Sequence, residues 1–80
     1  MYCVVKETIS QKTGYKMNST DHRTIKSAIA QFGKIEEEMK QKGYIFENDM
    51  TSFTAEDAKN GEYENRGANK KGDTVVLYIE

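Results

Sequence analysis

Eighty residues, 36% hydrophobic and 31% charged, suit one small globular domain spanning 1–80; the chain is too short for a second core and too apolar for disorder. A lone cysteine, Cys3, excludes an intrachain disulfide and an all-cysteine metal site, and its simplest setting is a reducing, cytoplasmic one. No apolar run approaches the length of a membrane span, so no membrane partner is expected.

The net charge of -1 hides an uneven distribution. Residues 1–34 carry six basic side chains against two acidic, residues 35–65 three against nine, and residues 66–80 three against two. A basic start and an acidic middle steer charged partners, although a solvated surface has the same look.

The opening YCVVKETIS alternates as a strand, with Cys3, Val5 and Ile9 on one face and Tyr2, Val4, Lys6 and Thr8 on the other. The turn QKTG follows, then a short returning strand over Tyr15–Met17. From Asp21 to Lys42, helical spacing joins Ile25, Ala28, Ile29, Phe32, Ile35 and Met39 into one apolar stripe. Ser19, Thr20 and Asp21 are candidate N-caps, Gly43 is a natural stop, and Gly33 points to close packing or a slight bend. A short strand over YIFEND comes next. In the SFTAEDAKNG segment Thr54 is the expected N-cap, with Asp57 three residues on and Phe53 and Ala58 at staple spacing, which predicts a short helix over Ala55–Lys59. Glu62–Asn65 reads as a further short strand and Thr74–Ile79 as the strongest one. The expected fold is α+β: an antiparallel sheet of three to five strands, a long amphipathic helix on one face, and a short second helix.

GANKKGDT, Gly67–Thr74, is one letter from a phosphate-binding loop, with Asp73 in the lysine position. It precedes a β-branched strand where the motif requires a helix, and a carboxylate repels phosphate. Nucleotide binding is therefore not expected, and Gly67 and Gly72 read as turn residues of a long hairpin loop. No cofactor is implied, and the carboxylates show no metal-binding pattern.

Three readings of function follow. The apolar alternation of the terminal strands leaves Tyr2, Val4, Val76 and Tyr78 as a face that one helix cannot cover. That favours a non-enzymatic interaction or regulatory protein, for instance an inhibitor of a larger partner, working through a protein contact or self-association. A nucleic-acid-binding regulator is the first alternative: Lys12, Lys16, His22, Arg23 and Lys26 gather around the expected helix start, where amides and cations converge on an anion. Against it stands a sequence pI of about 5.8. A small ribonuclease-type toxin using His22, the only histidine, is the second. Cys3 reads as a small core residue.

Overall fold

Alternation at both ends of the chain and one helical stripe between them build an α+β fold, and a computed structural model describes all of residues 1–80. The order is β1 (Tyr2–Ser10), β2 (Gly14–His22), α1 (Ile25–Gln41), β3 (Ile45–Phe46), a 3₁₀ turn (Met50–Ser52), α2 (Ala55–Lys59), β4 (Glu64–Ala68) and β5 (Thr74–Ile79). All five strands form one antiparallel sheet in the order β2-β1-β5-β4-β3, so the C-terminal strand is central.

α1 carries the chain from the β2 edge to the β3 edge. Four strand spacings are about 19 Å, and 17 residues of helix at about 1.5 Å each give about 26 Å, so one helix crosses the whole sheet. Its stripe is the expected one: Ala28, Phe32 and Met39 are buried, and Ile25, Ile29 and Ile35 pack against the same core. The helix starts later than the spacing predicts. Thr24 is the N-cap, its hydroxyl accepting from the Ser27 amide at 3.1 Å, while Ser19, Thr20 and Asp21 belong to β2. The end is as expected: Gly43 takes φ of +97°, and the Tyr44 and Gly43 amides donate back to the Met39 and Lys40 carbonyls.

α2 forms over the predicted residues. The Thr54 hydroxyl accepts from the Asp57 amide, and the Asp57 carboxylate accepts from the Thr54 amide, a reciprocal cap. It lies beside α1, its buried Ala58 joining the same core as Phe32, Val75, Leu77 and Ile79. Tyr63 seals that corner by edge-on contacts with Phe32 and Phe53, ring centres 4.9 and 5.7 Å apart. Both helices therefore occupy one side of the sheet.

Two glycines differ from their sequence reading. A Cβ on Gly33 would meet nothing within 4 Å, so close packing does not explain it. Gly67 lies inside β4, not in the turn; a Cβ there would sit 3.0 Å from the Ile45 carbonyl oxygen and 3.1 Å from the Phe46 ring. The turn after β4 is built by Asn69, whose side-chain oxygen accepts from the Lys71 and Asp73 amides. It leads directly into β5.

Candidate functional site

Sheet pairing decides which residues share a face. Val4 stands opposite Ile79, Lys6 opposite Leu77 and Thr8 opposite Val75, all on the helix side. Val5 stands opposite Tyr78, Glu7 opposite Val76 and Ile9 opposite Thr74, all on the other side. This corrects the grouping of Tyr2, Val4, Val76 and Tyr78. Val4 is 1% exposed in the core and Tyr2 packs against that core, while Val76 and Tyr78 lie half-buried on the open side. Cys3 moves the opposite way: it is half-buried on the open side, opposite Asp21, not a core residue. Burial is the main cause that pushes its thiol up, away from reactivity.

The open side is more apolar than the sequence grouping implied. Five large hydrophobic residues are exposed in the whole molecule, and four of them, Ile9, Tyr15, Met17 and Ile45, lie on this face. The register runs Tyr15, Ile9, Thr74, Ala68, Ile45 in one row across all five strands. The next row runs Met17, Glu7, Val76, Arg66. A shallow hollow of about 460 Å³ opens between Ile9, Val76, Arg66 and Ile45.

Glu7 is the polar centre of that face. Its carboxylate accepts from the Tyr15 hydroxyl at 2.9 Å and the Tyr78 hydroxyl at 2.6 Å. The Tyr78 bond, then the Tyr15 bond, hold the Glu7 carboxyl below its ordinary range, so it is charged at neutral pH. In return the Glu7 hydrogen bond, aided by burial, pushes Tyr78 up to about 12. Two of roughly four acceptor positions on a carboxylate remain free for a further donor.

The predicted basic cluster does not converge. Lys12 lies in the β1–β2 turn and Lys16 at the start of β2, whereas His22, Arg23 and Lys26 lie at its far end and the start of α1. The six residues from Lys16 to His22 put about 20 Å of strand between the two groups. His22 has both ring nitrogens occupied, one with the Thr20 hydroxyl and one with the Ser27 hydroxyl, each at 2.8 Å. It joins the end of β2 to the first turn of α1. No group of three His, Cys, Asp or Glu side chains stands close enough to hold a metal ion. No helix is long and apolar enough to cross a membrane.

One buried polar residue has only a faint sequence signal. Asn65 is 0% exposed, yet every polar atom of its side chain is satisfied. Its oxygen accepts from the Asn48 and Arg66 amides, and its nitrogen donates to the Asn48 carbonyl and to Glu36 of α1. It fastens the loop after β3 to β4 and to the helix. Nothing in the series Tyr63-Glu64-Asn65-Arg66 marks Asn65 as inward-facing except alternation with Tyr63.

Comparison with known proteins adds no relative: no family model, no characterised protein and no solved structure matches the chain.

Proposed function

We propose that the protein is a small non-enzymatic interaction protein, cytoplasmic in setting, whose working surface is the open side of its sheet and whose partner there is a second copy of the chain. The observation that carries this reading is the concentration of four of the five exposed large hydrophobic residues on that one face.

Self-complementarity favours a second copy. β5 is the middle strand, so a two-fold axis along it, between two facing sheets, lays β1 over the partner's β4 and β2 over the partner's β3. Because Glu7, Val76 and Arg66 share one row, the same operation sets Glu7 against the partner's Arg66 twice, with Val76 meeting the partner's Val76 on the axis. Tyr15 meets the partner's Ile45. One patch is thus complementary to itself in charge and in apolar content, as an isologous interface requires. Five strands about six residues long make a face of roughly 500 Å², so the dimer removes about 1,000 Å² from water, near the lower limit for a specific interface. A modest affinity follows.

Sedimentation velocity over a concentration series tests this with a charge swap. Arg66→Glu is expected to weaken the dimer by about tenfold or more, since it sets like charges together twice. Glu7→Arg combined with Arg66→Glu restores the pairing in reverse and is expected to recover association. A wild-type protein that stays monomeric at high concentration contradicts the reading, as does a double variant no better than the single one while its circular dichroism remains native.

A further inference from the structure

The fold gathers a second, charged feature, which lies mainly on the helix side and touches the open face only at Ile45. Six lysines from five separate segments line connected clefts at one end of the molecule. Lys6 of β1, Lys16 of β2 and Lys42 after α1 line one cleft of about 380 Å³ on the helix side. Lys42 also borders a second cleft with Lys70 and Lys71 of the β4–β5 loop, and Lys71 borders a third with Lys12 of the β1–β2 turn. Ser10 and Asp73 line both the first and the third. The three hollows form one track over the end of the molecule.

The concentration of like charge and the placement of one lysine separate this track from an ordinary solvated surface; being unpaired does not, since Lys40 alone among the basic residues forms an ion pair. None of the six lysines has a carboxylate within ion-pair distance; the single salt bridge in the molecule is Lys40 with Glu36, at 3.2 Å. Six of the chain's twelve basic residues therefore stand here unpaired, with Asp73 as the one acidic side chain lining the clefts, although the chain as a whole is at -1. Lys6 is the sharper case. It is half-buried on the helix-facing side of β1, beside Val4 and opposite Leu77, which are 1% and 0% exposed. Lys16 sits diagonally across from it, opposite Thr8. Like charges at diagonal sheet positions repel, and only Lys42, at a helix C-terminus, has a structural reason for its sign.

We propose that this track binds the phosphate backbone of a single-stranded nucleic acid. A free anion would fill one hollow, whereas three adjoining hollows, with Lys42 shared by the first and second and Lys71 by the second and third, match a polymer with repeating negative charge. Thr8, Thr13 and Asn18 line the main cleft and offer hydroxyl and amide groups to phosphate and sugar oxygens. A concave track with no exposed apolar side chain in its main cleft does not suit a flat bilayer. A duplex is too stiff to follow its bend over the end of the molecule. The site lies at the opposite end of β2 from the helix start.

Fluorescence anisotropy with a labelled single-stranded RNA of about ten nucleotides tests the proposal. Six phosphate contacts give an expected slope of about -4 for log affinity against log salt, roughly a 300-fold loss between about 50 and 200 mM. Lys16→Glu with Lys42→Glu is expected to abolish binding. Lys34→Glu with Lys59→Glu changes the net charge equally, away from the clefts, and is expected to leave affinity within about threefold. Absent or salt-insensitive binding would overturn the proposal, and so would an equal loss in both double variants, which would mean attraction to net charge alone. Tighter binding to a duplex, to poly-glutamate or to anionic phosphatidylserine vesicles would overturn it as well. Thermal melts of both variants confirm that folding is retained.

Discussion

The two faces of β5 hold similar residues and do different things. Val75, Leu77 and Ile79 are each 1% exposed or less beneath two helices, whereas Val76 and Tyr78, on the same strand, are half-buried with no helix above them. Residue type does not separate the two sets; what packs above them does. Every helix in the chain goes to one side, so that side holds the core and the other stays uncovered. An antiparallel sheet tolerates this, but its exposed apolar residues are here concentrated on one face, not scattered.

The largest break in that comparison comes from the covered side. Leu77→Ala removes a fully buried side chain and is expected to cost about 3 kcal/mol in urea unfolding, against less than about 1 kcal/mol for Val76→Ala measured on the monomer. Equal costs would mean that the two faces are buried alike. Asn65→Ala is expected to cost about 2 kcal/mol, because it strands the Asn48 and Arg66 amides and a Glu36 oxygen. It should also loosen β3 and the loop after it, visible as faster amide exchange over residues 45–49. Gly33→Ala, on the exposed side of α1, should stabilise by about 0.5–1 kcal/mol, since nothing obstructs the added methyl.

The smallest effect is electrostatic and belongs to the open face. Tyr78 titrates near 12 rather than 10, chiefly through its bond to Glu7. A group whose folded pKa is raised adds stability below its unfolded value and loses it as pH rises through the folded one, so the Tyr78 contribution is whole below pH 10 and fades toward 12. Glu7 has the opposite sign: its lowered pKa adds stability above 4.5, lost as pH falls through the folded value. Both groups keep contact with solvent, which screens the interaction, so the shifts in melting temperature are small. Tyr78→Phe should remove the highest-titrating component from an alkaline absorbance titration; loss of a component near the ordinary tyrosine value of 10 instead would break the Glu7–Tyr78 link.

What could be read from the residues was local. The stripe from Ile25 to Met39, the Thr54–Asp57 cap and the alternation of β5 each depend on neighbours within a few positions, and all three formed as the spacing predicts. The residue pattern marks only Tyr15–Met17 of β2, which has nine residues, because GYKMNSTDH is an edge strand with eight of its nine residues exposed and no need for apolar alternation. The face of β1 was the decisive ambiguity. Alternation divides Tyr2 and Val4 from Cys3 and Val5 but does not say which pair meets the helix, and Val4 and Val5 are both apolar. Only the pairing of Val4 with Ile79 resolves it. The lysine track needed still more, since residues 6, 12, 16, 42, 70 and 71 meet only once the order β2-β1-β5-β4-β3 is known.

An amide and methyl NMR dilution series tests the role of the uncovered face most directly. The expected result is concentration-dependent shifts confined to Ile9, Tyr15, Met17, Ile45, Arg66 and Val76, with Phe32, Leu77 and the rest of the helix side unmoved. Shifts on α1 instead, or none at any concentration, would contradict it.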